Sequence, residues 1–355
     1  MDRLKKLREE IDKIDLKLLE LLNRRAELVK EIIKEKEKRN MDIFDPTRER
    51  KIIEKLMKSN KGPLEKSDIE MFMETVFKIF RGMKKQIKIA YLGPEGTFTH
   101  QAALKTFGEK SIYIPCKTIE QVFIEVEKDR ADYGVVPIEN STEGIVTHTI
   151  DMFMESELKI ISEVFLSIHH YLLSREKSLK KIKKIYSHPQ AISQCQKWIE
   201  ENLPGVKIIE TESTSKAAKR VKREKYSGAI GSAISAKIYK LNILAEKIED
   251  FRENITRFLV IGKEIPERSG NDKTSILFSI KDRVGALHDM LLPFKKEGIN
   301  LTRLESRPSK KKAWDYVFFV DFIGHKDDEN VKRALKELEE NSVFLKILGS
   351  YPKGG

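Results

Sequence analysis

The sequence predicts a multidomain protein: an all-α N-terminal domain, a two-lobed α/β domain, and a C-terminal ferredoxin-like βαββαβ domain. Three patterns carry this reading. Leu4, Leu7, Ile11, Ile14, Leu18, Leu21, Leu28 and Ile32 recur at alternating three- and four-residue steps, the seam of one continuous helix from about Arg3 to Lys38. From Ile87 onward, short apolar runs alternate with helical segments. Beyond a charged stretch with Pro266 and Gly270, Lys263 to Lys273, the order becomes βαββαβ. With 355 residues the chain is long enough for two or three separate cores, here assigned to 1–85, 86–264 and 273–355.

In the first segment, Asp45-Pro46 reads as an N-cap followed by proline at the first helical position, starting a helix that runs to about Ser59. Asn60-Lys61-Gly62-Pro63 ends it, and Ser67 with Glu70 predicts a capping box opening a third helix to about Lys85. The first helix, ~50 Å long by its rise, is too long to bury its stripe against two shorter ones, so a second chain is expected to complete the core. Two cations interrupt that stripe. Arg25 fills a seam position, Lys36 points into the same apolar arc, and Arg8 lies at its edge. Buried charge is costly unless paired, so these side chains either meet acidic residues or hold an anionic ligand.

In the middle segment, strands are predicted at 87–92, 111–115, 133–137, 160–173, 182–187, 206–210 and 256–261, mostly parallel. Helices are predicted at 99–107, 119–128, 145–154, 189–202, 215–225 and 232–241. The long connection through Ile160 to Leu173 suggests a division into two lobes. Gly93 to His100 and Pro137 to Gly144 each follow a strand and lead toward a helix, where open α/β sheets place their ligands. Neither has a nucleotide-binding spacing. Gln194 and Cys195 fall within a predicted helix, and His169-His170 in a strand point to opposite faces, so they make no metal pair. The last segment reads as strands at 275–280, 300–307, 315–322 and 343–348 with helices at 285–297 and 329–341.

Composition narrows the class. Two cysteines, Cys116 and Cys195, give neither a disulfide framework nor a spaced metal set, which fits a reducing compartment. No run approaches ~18 apolar residues and the start lacks an apolar signal core, so a cytoplasmic protein without membrane association is expected. The net charge is +12, but the lysines are interleaved with glutamates along the whole chain, a diffuse field suited to small anions rather than a nucleic-acid face.

Taken together the segments resemble the bifunctional chorismate mutase/prephenate dehydratase family over nearly the whole chain. The likeness rests on Leu7-Arg8, Leu22-Asn23-Arg24-Arg25, Lys36 and Asp45-Pro46-Thr47-Arg48-Glu49 for an all-helical mutase domain. Gly93 to His100, Pro137 to Gly144, Tyr186-Ser187-His188-Pro189-Gln190 and Thr256-Arg257-Phe258 carry it for a periplasmic-binding-protein-like dehydratase domain. Gly285-Ala286-Leu287-His288 and Glu305-Ser306-Arg307-Pro308 carry it for an ACT regulatory domain.

The resemblance implies phenylalanine biosynthesis, with chorismate and prephenate as substrates, phenylalanine as allosteric inhibitor, and no cofactor or metal. It assigns Arg25 and Arg8 to the carboxylates of chorismate and Lys36 to its ether oxygen and a carboxylate, with Arg48, Glu49 and Asp45 shaping the pocket. Chorismate rearranges without proton transfer, so gripping its carboxylates and stabilising the ether oxygen suffice. Lys84 stands where the family has a glutamine donor, with Phe80 one turn earlier; either Lys84 or a register-shifted Gln86 serves, or the mutase is weakened. Arg8 and Arg25 lie ~25 Å apart along one helix, so Arg8 must serve a partner's site in a homodimer or higher assembly.

For the dehydratase, the resemblance implies Thr256 as donor to the departing hydroxyl, with Asn140, Glu139 and Gln194 in the cleft. Glu139 is the alternative acid if burial raises its pKa. Thr97, Ser187, Thr214 and Arg257 are implied as substrate contacts. Phenylalanine is implied to bind between paired regulatory domains near Gly285, Ala286 and Leu287, and near Glu305, Ser306 and Arg307. A non-catalytic amino acid sensor would need neither Thr256-Arg257-Phe258 nor the seam cations.

Overall fold

The computed structural model describes residues 2–39, 41–83, 87–251, 253–280, 283–308 and 316–354. Helix α1 (Asp2–Lys38) is one unbroken rod, as its periodicity requires. Helix α2 (Pro46–Ser59) begins where Asp45 accepts the Arg48 N–H at 2.8 Å. Helix α3 (Lys66–Arg81) starts before the predicted Ser67 cap, because Asp68 accepts the Glu65 N–H at 2.9 Å. Ile53, Met73, Val76, Phe77 and Phe80 form this domain's core, packed on Leu22, Ala26 and Val29 of α1. The seam read from the sequence faces away from that core: Leu4, Ile14, Leu21 and Ile32 are 58, 64, 58 and 54% exposed. Its apolar row is therefore uncovered within one chain.

The α/β domain has two sheets. The first lobe contains β1 (Lys88–Leu92), α4 (Phe98–Phe107), β2 (Ile112–Cys116), α5 (Ile119–Glu127), β3 (Tyr133–Asn140), β4 (Gly144–Ile145), α6 (Thr147–Glu155) and β5 (Lys159–Ser167). The second contains β6 (Tyr171–Ser174), β7 (Lys184–Ser187), α7 (Pro189–Ser193), α8 (Gln196–Asn202), β8 (Lys207–Glu210), α9 (Thr214–Val221), β9 (Ser227–Gly231), α10 (Ala233–Tyr239) and β10 (Asn242–Ala245). Strand β11 (Ile255–Gly262) then returns to the first lobe, giving sheet orders β2-β1-β3-β11-β5 and β10-β6-β9-β7-β8.

The predicted 160–173 strand is thus two strands in two sheets. His169 and His170 lie in the crossing between them, not in a strand. The sheets are less parallel than predicted, because each return across the hinge inserts antiparallel pairs, β11 with β3 and β5, and β6 with β9 and β10. Strand β9, Ser-Gly-Ala-Ile-Gly, escapes sequence reading because glycine and alanine carry little strand propensity. It needs those small residues: a Cβ on Gly228 would lie 2.9 Å from Leu172 Cδ1. The predicted 189–202 helix breaks at Gln194 and Cys195, where Asp250 accepts the N–H groups of Lys197 and Trp198 at 3.1 and 3.3 Å.

The C-terminal domain comprises β12 (Asp272–Ser279), α11 (Ala286–Lys296), β13 (Leu301–Pro308), β14 (Tyr316–Ile323), α12 (Glu329–Asn341) and β15 (Phe344–Pro352), in sheet order β13-β14-β12-β15. Its strands are apolar on both faces. Ile276, Phe278, Phe318 and Val320 pack under the two helices, while Leu277, Val317, Phe319 and Leu348 pack on the first lobe of the α/β domain with Leu259 and Ile261. The closest approach is at Gly349, where an added Cβ would overlap the Ile160 carbonyl oxygen of β5. Gly349→Val is expected to cost about 1–3 kcal/mol by overpacking this seam. The check is a lower melting temperature with earlier proteolytic separation of the C-terminal domain.

Candidate functional site

A cleft of about 550 Å³ opens between the two lobes. Its floor comes from the two hinge crossings, its walls from loops after β1 and β3 on one side and from α7 and the start of α9 on the other. The Gly93–Thr97 loop is stitched to the far lobe: Ser232 and Ser235 hydroxyls both donate to the Gly96 carbonyl at 2.9 Å, and Tyr239 donates to that of Glu95 at 3.0 Å. Gly96 has φ +90° and would place a Cβ 2.7 Å from Ser235 Oγ, so only glycine suits this closed contact.

Within the cleft, Asn140 Nδ2 donates to Thr256 Oγ1 and to Asn254 Oδ1, each at 2.7 Å. Asn254 Nδ2 and His170 Nε2 both meet Gln194 Oε1, at 3.2 and 2.9 Å, and Gln194 Nε2 donates to Glu143 at 3.2 Å. Asn140 Oδ1 accepts from the Thr142 N–H and hydroxyl at 3.0 and 2.6 Å, which fixes which way its amide faces. Because Thr256 Oγ1 accepts from Asn140, its own proton is free to point into the cleft. Burial lowers the His170 pKa, keeping the ring neutral and its Nε2–H available to Gln194. Asn254, Glu143 and His170 were not among the sequence candidates. Asn254 had a readable signal, two residues before Thr256 and therefore on the same strand face.

Thr97 and Thr214 line this cleft with Asn140, Gln194 and Thr256. Three other candidates do not. The Ser187 hydroxyl is buried and donates to the Ile230 carbonyl at 2.8 Å, a structural bond within the second lobe. Glu139 follows Asn140 backwards along β3 and so faces the other way, paired with Arg303 of β13. Arg257 likewise alternates with Thr256 and is buried against the C-terminal sheet, Nε 2.8 Å from Glu163 and its guanidinium joined to Asp321. Burial opposes its charge, but Tyr351, Asp321 and Glu163 more than offset this, raising the pKa. Arg257 therefore bonds to protein groups on the face opposite the cleft.

His100, in the same loop region, is pushed by burial from its ordinary 6.5 down to about 4. Its neutral ring accepts the Gly96 N–H at 3.1 Å and stacks on Tyr91 at 4.7 Å. With the folded value below the unfolded one, the unfolded chain takes up the proton first, so stability is full above 6.5 and drains as pH falls toward 4. Melting curves across that window are expected to fall for the wild-type chain and to be flatter for His100→Gln.

In the helical domain, the Arg25 guanidinium lies 4.5 Å from the Phe80 ring centroid and 5.4 Å from that of Phe77. Its NH1 is buried with no hydrogen-bond partner among the described residues, and burial lowers its pKa while Glu49 partly offsets this. Lys36 donates to the Asp42 carbonyl at 2.9 Å and lies 3.8 Å from Asp45. Arg8 and Arg48 are exposed. Glu49 is held by Arg81, Nε to Oε1 at 2.9 Å. Lys84 and Gln86 lie outside the described residues.

In the C-terminal domain, Gly285 at φ +77° caps α11, and with Ala286 and Leu287 it lines a pocket of about 300 Å³ beside Arg283, Tyr316 and Phe318. Glu305 and Arg307 do not reach it. They alternate with Ser306 on β13 and turn toward the α/β domain, with Arg307 3.6 Å from Asp151 of α6 and Glu305 3.7 Å from Arg303. Among the described residues, no helix is long and apolar enough to cross a membrane.

Fold and sites define a multidomain enzyme for small anionic substrates with a regulatory module at its C-terminus. Family models agree by domain: chorismate mutase type II at residues 7–85, prephenate dehydratase at 89–266 and the ACT domain at 274–340. The bifunctional chorismate mutase/prephenate dehydratase of Aquifex aeolicus is 52% identical over 99% of both chains, and that of Pseudomonas aeruginosa 44% over 99% of this chain and 98% of its own. A crystal structure of prephenate dehydratase from Arthrobacter aurescens in complex with L-Phe is 36% identical, with TM-score 0.71 over 75% of this chain and 90% of that one. This chain belongs to the bifunctional chorismate mutase/prephenate dehydratase family and carries both activities.

Proposed function

We propose that residues 1–85 rearrange chorismate to prephenate and that the two-lobed domain, 86–264, removes CO₂ and the ring hydroxyl to give phenylpyruvate. The regulatory domain, 273–355, responds to phenylalanine. Arg25 and Arg8, the latter from a second chain, grip the chorismate carboxylates, and Lys36 serves the ether oxygen and a carboxylate. The buried NH1 of Arg25 supports this reading most directly, since it has no hydrogen-bond partner among the described residues and Glu49 offsets the burial of its charge only in part. In the dehydratase cleft, Thr256 donates to the departing hydroxyl, with Asn140 and Gln194 ordering the donor and Thr97 and Thr214 contacting prephenate. Glu139 faces away from the cleft and is not the acid. Phenylalanine sits at the start of α11, where Gly285 and Leu287 offer backbone N–H groups to a carboxylate, that of Ala286 being bonded to the Arg283 carbonyl at 3.1 Å.

The exposed seam of α1 supports a homodimer or higher assembly, and two free buried thiols are in keeping with a cytoplasmic site. The test supplies chorismate to the full chain and follows prephenate and phenylpyruvate with and without phenylalanine, alongside calorimetry with phenylalanine. Accumulation of neither product ends the catalytic reading, and absence of binding heat ends the effector reading. A Leu7→Glu/Ile11→Glu variant is expected to lose the association made through α1, keep dehydratase turnover and lose the mutase. Full mutase activity in residues 1–85 carrying both substitutions and verified as a monomer refutes the shared site.

A further inference from the structure

The largest buried charge cluster among the described residues lies outside both active sites, at the seam between the α/β domain and the C-terminal sheet. From the α/β side come Arg257 of β11 and Glu163 of β5; from the C-terminal side come Lys273, Ser275, Asp321 and Tyr351. Lys273 Nζ and Arg257 Nε each lie 2.8 Å from Glu163 Oε2. Arg257 NH1 is joined to Asp321, and NH2 donates to the Tyr351 hydroxyl at 2.9 Å. Ser275 closes the ring, donating to Asp321 at 2.5 Å and meeting Tyr351 at 2.6 Å. Two cations face two carboxylates, one of each sign from either domain, so each side is neutral by itself and the ion pairs Lys273–Glu163 and Arg257–Asp321 cross the seam.

Its position gives it consequence. Arg257 is the residue after Thr256, and on a strand the two side chains must leave opposite faces. One enters the dehydratase cleft, the other anchors the same backbone to strands β12, β14 and β15. Residue 256 pairs with Asn140 in the ladder and 257 with Glu139, which is itself tied to Arg303 of β13. The backbone beneath the donor is therefore held from behind by the C-terminal sheet at two adjacent rungs.

We propose that Arg257 is a positioning residue for the dehydratase: its bonds to Asp321 and Tyr351 fix β11 so that the Thr256 hydroxyl stays on Asn140, making the C-terminal sheet part of that site's support. This rests on Thr256 being the donor. A donor to a departing hydroxyl acts mainly in the transition state, so misplacing it lowers kcat and leaves KM for prephenate nearly unchanged.

The test uses full-length variants assayed for dehydratase kcat and KM, mutase rate and melting temperature. Tyr351→Phe removes one hydrogen bond and is expected to lower dehydratase kcat about 2- to 10-fold. Asp321→Asn removes a charged partner and is expected to lower it about 10- to 100-fold. In both, KM stays within about twofold and the mutase rate is unchanged. Arg257→Lys is expected to retain more kcat than Arg257→Met. An unchanged kcat in the folded variants overturns the proposal, as does a raised KM at constant kcat, the signature of a direct substrate contact. If Asp321→Asn does not fold, Tyr351→Phe decides alone. Thr256→Val run in parallel separates the premises: full turnover there ends the donor reading, whereas an inactive Thr256→Val beside fully active Tyr351→Phe ends only this inference.

Discussion

Thr256→Val is expected to reduce dehydratase turnover by about 10²- to 10³-fold, the effect of deleting one preorganised donor, while the mutase rate stays constant. Valine keeps the shape and strand preference of threonine, so the fold is little disturbed and only the hydroxyl is lost. The hydroxyl matters because of its bonding state: Asn140 Nδ2 donates to it at 2.7 Å, leaving its own proton free for a group in the cleft. Threonine is too weak an acid to be a proton reservoir, so its contribution is a fixed hydrogen bond that strengthens as negative charge grows on the departing oxygen. Asn140→Asp should separate orientation from donation, since a carboxylate there would draw the threonine proton back toward itself. Steady-state rates with prephenate decide the matter, and full turnover in Thr256→Val removes the assignment.

Arg25→Met is expected to lower mutase kcat/KM by about 10²- to 10³-fold without lowering the melting temperature. In the folded chain the guanidinium is partly desolvated, and its NH1 lacks a hydrogen-bond partner among the described residues. Losing its contacts with Phe77 and Phe80 costs about 0.5–2 kcal/mol, and removing a poorly compensated charge from the interior offsets that. A residue that benefits substrate more than fold gives this signature, a variant as stable as the parent and nearly inactive. The opposite pair of results, a large stability loss with the mutase rate preserved, would falsify the ligand role and make Arg25 structural.

Sequence periodicity located most of the elements but not their partners. The step pattern of α1 identified one long helix, yet Leu28 and Ile32, assigned to its seam, are 43 and 54% exposed, while Leu22, Ala26, Val29 and Ile33 turn toward its own domain. Two apolar faces share that rod, and spacing alone does not say which is covered by which chain. Strand β9 was unreadable for a different reason: its two glycines and one alanine let neighbours close in, so the residues that make it a central strand hide it from propensity.

The site shows the same division. Local chemistry marked the loops at Gly93–His100 and Pro137–Gly144, because small residues and caps at strand ends are short-range signals, whereas Thr256 stood out only through the family resemblance; the structure brings Gly93, Asn140 and Thr256 together in one cleft. Gln194 was placed mid-helix. Only Asp250, more than fifty residues away, breaks the helix there and turns the amide toward Asn254. Arg257, Glu139, Glu305 and Arg307 belonged to recognisable motifs, yet all four turn into the seam between catalytic and regulatory domains. The amino-acid order by itself determined the three-domain division, the periodic helices and strands, and which segments carry polar chemistry, since each depends on residues near one another in the chain. Tertiary structure alone decided which face of β3, β11 and β13 meets substrate and which meets another domain, because alternation along a strand guarantees two opposite faces and only long-range packing chooses between them.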